Sequence, residues 1–175
     1  MAKYVAFLRA VNVGGRTVKM DVLKELFIKA GFKQVKTYIQ SGNVIFESGA
    51  GDTPAMEAKI EKLLLQELGF EVPTCIRSFG EMADVVKNNP FNDTPPDDEV
   101  QVYIAFLRTI PGPDTPKILQ TLNNAAETYH LSGKDIYIKT IKNLMQKPFS
   151  NVNLEKKTGV ISTTRNLATA TKVIL

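Results

Sequence analysis

The chain has 175 residues, 43% of them hydrophobic and 23% charged, which is enough to bury a core of useful size. Its formal net charge of +4 suits an anionic ligand but, without a visible basic patch, does not argue for nucleic acid. Cys75 is the single cysteine and His130 the single histidine, which excludes an internal disulfide, a cysteine-based metal cluster and a two-histidine metal site.

The first half of the chain alternates between strand-like and helical patterns. A glycine-bearing loop from Val11 to Lys19 separates the first strand from the first helix, and Gly31 is suited to end that helix. Ser41-Gly42 is suited to the turn of a hairpin between the next two strands. The predicted elements follow the order β-α-β-β-α-β and span residues 3–10, 20–30, 34–40, 43–47, 54–68 and 72–78.

The second half starts again after a boundary. A short helix is predicted at residues 79–88, and residues 89–99 are rich in Pro, Asp and Asn. The later elements are predicted at residues 100–108, 115–126, 128–131, 135–140, 151–157 and 159–163, followed by an amphipathic tail at 166–175 that suits a helix or a strand. We therefore divide the chain into residues 1–80, a helix and linker at 81–98, and residues 99–175, packed as one compact unit.

Two phrases occur twice in the same order. Tyr4–Arg9 returns as Tyr103–Arg108, and Tyr38–Gly42 returns more loosely as Tyr129–Gly133. Repeats in a fixed order indicate a duplicated unit, and β-α-β-β-α-β is the order of a ferredoxin-like fold. The sequence thus predicts an α+β protein made of two ferredoxin-like halves that arose by internal duplication.

This topology brings two polar loops together. In a ferredoxin-like sheet the first two strands run parallel with the third between them, so the end of the first strand lies beside the tip of the hairpin. We therefore expect residues 12–19 to lie beside residues 40–43, with Arg9 close to both.

The glycine-bearing loop is a candidate anion site. Gly14-Gly15 can turn backbone N–H groups toward a ligand at a helix N-terminus, and Arg16 and Lys19 add positive charge. The loop matches neither a P-loop nor the dinucleotide fingerprint, and a Gly-Gly turn alone is more often only a turn. The back half has Pro111-Gly112-Pro113 instead, and a loop elaborated in one copy is the better functional candidate.

Other candidate functional residues have weaker support from the sequence. Arg165, in the polar segment 162–166, either is solvated at a helix start or supplies a forked donor to a carboxylate or phosphate. Cys75 is expected to be a buried, inert thiol, and nothing supports a dyad with His130. The acidic run 97–99 is expected to be a solvated linker.

Aromatic residues on the two repeated strands could suggest base stacking on a sheet. The third strand of the first half has only Phe46 and lacks the aromatic pattern of RNA-binding domains. We therefore expect four aromatic side chains to be core residues: Tyr4, Phe7, Tyr103 and Phe106.

Four segments together resemble the signature of an uncharacterised bacterial family, domain of unknown function sixteen-ninety-seven. They are Phe7–Gly15, Lys19-Met20, Thr37–Phe46 and Thr163–Asn166, and the resemblance covers nearly the whole chain. It implies an α/β fold with two ferredoxin-like halves and no established activity. The family usually has Trp after its Arg-Asn pair, where this chain has Leu167.

The resemblance also implies a shared ligand-binding site. The matching positions are Arg9, Asn12, Gly14, Gly15, Lys19, Ser41, Gly42, Asn43, Arg165 and Asn166. These positions include no carboxylate and no histidine, which favours binding over general acid–base catalysis. We expect no cofactor and no metal.

The functional expectation is a binding protein for a small anionic ligand, nucleotide- or phosphate-like. The alternatives are a nucleic-acid-binding protein and an enzyme that acts on a phosphorylated metabolite. The N-terminus leads directly into a strand without a charged leader, and the apolar runs are shorter than the roughly 18 residues of a membrane span. We therefore expect a cytoplasmic protein without a membrane partner.

Overall fold

The computed structural model describes residues 1–49, 51–94 and 97–175. Ala50 of the predicted 49–53 loop, and Pro95 and Pro96 of the predicted linker, lie outside the described residues. The chain divides into two compact units, Met1–Ala83 with Val173–Leu175, and Asp84–Lys172. The architecture is mixed α and β, with two four-stranded antiparallel sheets, as expected for an α+β protein.

The first unit contains one sheet and two helices that pack on it. Its elements are β1 (Ala2–Leu8), α1 (Met20–Lys29), β2 (Lys33–Tyr38), β3 (Asn43–Ser48), α2 (Thr53–Leu68) and β4 (Thr74–Ser78), followed by α3 (Phe79–Lys87), which continues into the second unit. The strand order is β2-β3-β1-β4, and each neighbouring pair is antiparallel. The third strand therefore lies between the first two, as the repeat predicted.

Both faces of β1 are buried, in line with its apolar pattern. One face contributes Tyr4, Ala6 and Leu8 to a core cluster with α1 and α2. Phe32 and Phe46 fill the centre of this cluster, with ring centroids 4.5 Å apart. α2 is delimited by side-chain and backbone caps, because the Asp52 carboxylate accepts from Ala55 N–H and Gly69 adopts the left-handed conformation.

The outer edge of β4 is closed by two glutamates from α2. The Glu57 carboxylate accepts the Ile76 N–H at 2.9 Å, and the Glu61 carboxylate accepts the Thr74 N–H at 2.8 Å. Residues four apart lie on one face of a helix, so both carboxylates reach the same strand. Two backbone donors of an edge strand are thereby satisfied.

The second unit repeats this plan with shorter helices. Its elements are β5 (Val100–Leu107), α4 (Thr115–Leu122), β6 (Glu127–Ser132), β7 (Asp135–Ile141), a single 3-10 turn (Lys142–Leu144), α5 (Asn151–Thr158), β8 (Ser162–Asn166) and α6 (Leu167–Lys172). The strand order is β6-β7-β5-β8, and each neighbouring pair is antiparallel. The tail at 166–175, whose pattern suited a helix or a strand, therefore forms a helix at Leu167–Lys172.

The helix predicted at residues 115–126 is too long, since α4 ends at Leu122. Asn123 has extended backbone angles, and its side-chain oxygen accepts the Tyr129 N–H at 2.8 Å. The Asn124 side-chain oxygen accepts the N–H groups of Ala126 and Glu127. Asparagine side chains that bond the nearby backbone compete with helix formation, which explains the early end.

The strand predicted at residues 159–163 begins later, at Ser162, and continues to Asn166. Gly159 ends α5 in the left-handed conformation and donates its N–H to the Glu155 carbonyl. A glycine in this conformation is a common helix terminus and interrupts an extended segment. The polar residues 162–166 are therefore a strand rather than a helix start.

Backbone and side-chain contacts recur at equivalent places in the two units. Leu8 N–H donates to the Gly42 carbonyl and Leu107 N–H to the Lys134 carbonyl, both at 2.8 Å. Arg77 and Arg165 each donate to the carbonyl of the preceding residue, at 3.0 and 2.9 Å. The repetition thus extends beyond the two sequence phrases to β4 and β8.

The closed strand edge recurs as well. The Glu155 carboxylate of α5 accepts the Ser162 N–H of β8 at 2.9 Å, as Glu61 does for Thr74.

Of the helices formed by residues 1–49, 51–94 and 97–175, none combines the length and the apolar run that a membrane crossing requires.

Candidate functional site

The loop after β1 and the turn of the first hairpin contact each other through one side chain. Asn12 Nδ2 donates to the Gln40 carbonyl at 2.6 Å, and Asn12 Oδ1 accepts the Val18 N–H at 2.7 Å. The two bonds fix both ends of the loop against the turn. Residues 12–19 therefore lie beside residues 40–43, as the strand order predicted. We call this part of the sheet, at the C-terminal end of β1, the β1 edge.

Gly42 is required by close packing at the β1 edge. Its φ is +82°, and a Cβ atom there would lie 2.6 Å from Val11 Cγ2 and 3.1 Å from Leu8 Cβ. Any side chain would displace the turn from the end of β1. Gly42 thus serves the scaffold of the edge.

Asn43 also holds the turn. It is fully buried, and its amide nitrogen donates to the Tyr38 carbonyl at 3.0 Å and to Ser41 Oγ at 2.8 Å. These bonds account for both amide hydrogens. Ser41 itself is exposed, so of the two predicted polar contacts in the turn, Ser41 is the one at the surface.

Two non-glycine residues at the β1 edge have left-handed backbone conformations. Ala10 has φ 58° and follows β1, and the exposed, β-branched Ile39 has φ 48° and precedes the turn. Each such residue costs of order 1–3 kcal/mol and needs support from its surroundings. Conformations of this kind concentrate at functional sites, and their presence at one edge motivates a functional interpretation.

The positive groups of the loop lie at its surface. The exposed Arg16 places its guanidinium carbon 4.5 Å from the centroid of the Phe70 ring, a cation–π contact that holds the side chain in place. The exposed Lys19 is the N-cap residue of α1, which has no side-chain cap. Arg9 is half-buried, and its backbone N–H donates to the Pro73 carbonyl.

The adjacent glycines of the loop are unobstructed. Gly14 and Gly15 are exposed with φ of +66° and +83°, and no atom lies within 4 Å of a Cβ built on either. Their conformation therefore follows from the path of the loop rather than from packing. Their backbone stays accessible to a ligand between Arg16 and the end of β1.

Arg165 and Asn166 belong to β8 of the second unit. Arg165 is half-buried and donates to the Thr164 carbonyl, and Asn166 caps α6 by accepting the Thr169 N–H at 2.8 Å. Leu167 begins α6 at the place where the resembled family has Trp. The membership of Arg165 and Asn166 in a site shared with the loop stays a prediction.

Cys75 and the acidic run 97–99 lie where the sequence led us to expect them, in the core and in an exposed turn. Cys75 is fully buried, whereas His130 is exposed on β6 with its ring beside Tyr137, so the thiol is not available as a nucleophile. The Asp97 carboxylate accepts the Glu99 N–H in an exposed turn. No group of three or more metal-ligating residues occurs within residues 1–49, 51–94 and 97–175.

The aromatic residues of the repeated strands are core residues, as expected. Tyr4, Phe7 and Phe106 are at most 6% exposed. Tyr103 is half-buried and stacks on Phe149 with centroids 6.1 Å apart. None of the four presents an open ring face of the kind that RNA-binding sheets offer to bases.

Comparison with known proteins gives a family and a fold. The model of a family described as "Protein of unknown function (DUF1697)" matches residues 1–137, which confirms the resemblance carried by the motifs. The chain is also similar to a solved structure, the conserved bacterial protein SP0830 from Streptococcus pneumoniae. That similarity has a TM-score of 0.71 and 20% identity, and covers 99% of this chain and 97% of the other. No curated protein matches the chain.

Proposed function

The chain belongs to the DUF1697 family of proteins of unknown function, and we propose that it binds a small anionic ligand, nucleotide- or phosphate-like, at the β1 edge. The family description names no activity, so support for the proposal comes from the residues of the edge itself.

The observation that carries the proposal is the double hydrogen bond of Asn12. By joining the loop to Gln40 and Val18, it holds the loop in one shape before any ligand arrives. A preformed loop loses little conformational freedom on binding, which favours affinity. The loop so held exposes the Gly14-Gly15 backbone next to Arg16 and ahead of the start of α1, an arrangement suited to an anion.

The chemistry of the edge supports binding rather than catalysis. Arg16 and Lys19 are cationic donors at neutral pH, and Ser41 supplies an exposed hydroxyl. The positions matched by the family motif contain no carboxylate and no imidazole, the usual general acids and bases. Phosphate contacts need only the donors present here.

We further infer that each unit is a ferredoxin-like half and that the halves arose by duplication. The shared strand order, the equivalent arginine contacts of Arg77 and Arg165, and the glutamate contacts to β4 and β8 support this inference. A cytoplasmic location belongs to the same proposal, and fractionation of cells that express the tagged chain tests it.

Calorimetric titration with ATP and with inorganic pyrophosphate tests the ligand class. We expect saturable binding that the Arg16→Ala, Lys19→Ala double variant weakens about tenfold or more, because two charge-assisted contacts are lost. Lys62→Ala is the matched control, since Lys62 is an exposed lysine on α2 of the same unit, and it leaves the affinity unchanged.

The same titrations separate the alternatives. Equal affinity of the double variant and the wild type would contradict the proposal. Binding of oligonucleotides with a steep salt dependence would favour a nucleic-acid partner. Conversion of ATP during the titration would favour an enzyme.

A further inference from the structure

The second unit contains a cleft that the β1 edge does not explain. It has a volume of about 810 Å³ and lies between the end of α4, strand β6 and the segment that leads into α5. Its lining includes Leu122, Tyr129 and Phe149, three partly buried side chains that pack on the small core of this unit. A concave volume of this size with an apolar and aromatic lining is typical of small-molecule sites.

An aromatic cluster of the first unit has no full counterpart beside the cleft. Phe32 directly precedes β2 and packs on Phe46, which pairs with Tyr4 of β1. The position equivalent to Phe46 is Ile138, which pairs with Tyr103. Ala126, directly before β6, lines the cleft with only a methyl group.

The helix lengths enlarge the same space. α2 has 16 residues, whereas its counterpart α5 has 8. The segment before α5 is correspondingly extended, and it places the exposed Leu144 and half-buried Met145 on the lining. An exposed leucine beside an apolar cleft adds surface that a ligand could cover.

The polar groups of the cleft favour an anionic occupant. Lys147 and Lys157 belong to the lining and are exposed. In the described part of the chain, no hydrogen bond or ion pair engages either ammonium group. Glu127 is the one carboxylate among the lining residues, and it interacts with the Tyr129 hydroxyl. Burial and the adjacent Glu127 raise the pKa of the Tyr129 hydroxyl.

We propose that this cleft binds a small amphipathic anion, with an aromatic or aliphatic body seated against Ala126, Tyr129 and Phe149 and an acidic group at Lys147 and Lys157. The apolar lining supplies affinity for the body, and the two ammonium groups select the charge. This site is separate in its residues from the β1 edge and does not depend on the function proposed there.

Fluorescence titration with two dyes tests the cleft. Anilinonaphthalene sulfonate has an aromatic body and one negative charge, and N-phenylnaphthylamine has a similar body without charge. We expect one saturable site for the sulfonate. The Lys147→Ala, Lys157→Ala variant weakens it about tenfold, the size of one lost charge-assisted contact, and leaves the neutral dye unchanged. Lys156→Ala is the control, because Lys156 neighbours Lys157 on α5 but does not line the cleft.

Ala126→Phe places a ring in the cleft and should abolish binding of both dyes while circular dichroism stays that of the wild type. If that variant does not fold, the lysine variants decide the proposal alone. Absence of saturable sulfonate binding would overturn it. So would equal loss of both dyes in the double lysine variant, or the same loss in Lys156→Ala.

Discussion

Asn12 and Gln40 are joined by a 2.6 Å hydrogen bond across 28 positions of the chain, and this bond holds the loop after β1 against the first hairpin turn. The same amide accepts the Val18 N–H, so one side chain fixes the loop at both ends. The shape of the β1 edge therefore depends on a residue that need not touch a ligand.

Substitution of Asn12 should loosen the loop in a graded way. Asn12→Ala removes both bonds and should cost about 1–2 kcal/mol of unfolding free energy, with faster exchange of the Val18 amide hydrogen. Asn12→Asp keeps the acceptor for Val18 but loses the donor to Gln40, so Val18 should stay protected. Urea titration and amide exchange by NMR measure the two effects. Unchanged protection of Val18 in Asn12→Ala would contradict this account.

Gly42→Ala should be far more costly than the same change at another left-handed glycine. At Gly42 the new methyl group meets Val11 and Leu8, and the expected loss is roughly 2–4 kcal/mol. Gly69 has nearly the same φ, +80°, and nothing within 4 Å of its Cβ position. Gly69→Ala should therefore cost only about 1 kcal/mol, for the backbone conformation alone. Similar midpoints for the two variants in denaturant would show that packing at Gly42 is unimportant.

The buried Tyr137 should make the fold sensitive to alkali. Its hydroxyl donates to the Val85 carbonyl at 2.7 Å, and burial, aided by Asp135, raises its pKa from the ordinary tyrosine value of about 10 to about 12. A raised pKa in the folded state gives stability that is complete below about pH 10 and is lost as the pH rises through about 12. The stability difference between wild type and Tyr137→Phe should therefore shrink between these pH values.

Thermal unfolding of both proteins from pH 8 to pH 12 measures this difference. Tyr137→Phe should also lose about 1 kcal/mol below pH 10, because the Val85 carbonyl is left without its donor. A constant difference across the whole range would mean that the pKa of Tyr137 is not raised in the folded protein.

Glu61 should matter as a hydrogen-bond acceptor more than as a charge. Glu61→Gln keeps an oxygen for the Thr74 N–H and should cost under about 1 kcal/mol, whereas Glu61→Ala leaves that donor open and should cost about 1–3 kcal/mol. Exchange of the Thr74 amide hydrogen, followed by NMR, reports the bond directly. Equal effects of the two substitutions would point to the charge instead.

The sequence allowed the element order and the meeting of the loop with the turn to be predicted, because topology fixes which strand ends share an edge. It could not assign the roles of Asn12 and Asn43. Asparagine suits a ligand contact and a turn equally well, and only the positions of Tyr38, Gln40 and Ser41 show that both amides are occupied by the fold.

Two further features could not be predicted from the sequence, for physical reasons. Ile39 is β-branched, so its propensity argues against the left-handed conformation that it adopts. The second unit has Ile138 where the first has Phe46, an exchange that becomes visible only when the strand registers are known. The early end of α4, by contrast, had a signal in Asn123-Asn124, which the apolar spacing of the next residues concealed.

The glutamates that accept hydrogen bonds from the backbone of β4 and β8 also hinder pairing of these edge strands with other copies of the chain. An uncovered edge strand is a template for a foreign strand, and Glu57, Glu61 and Glu155 occupy donors that such a strand would use. This protection is provided by α2 and α5, so a cut between either helix and the strand that follows it would leave the strand edge uncovered. Dissection of this chain into smaller pieces must therefore keep each of these helices with its strand.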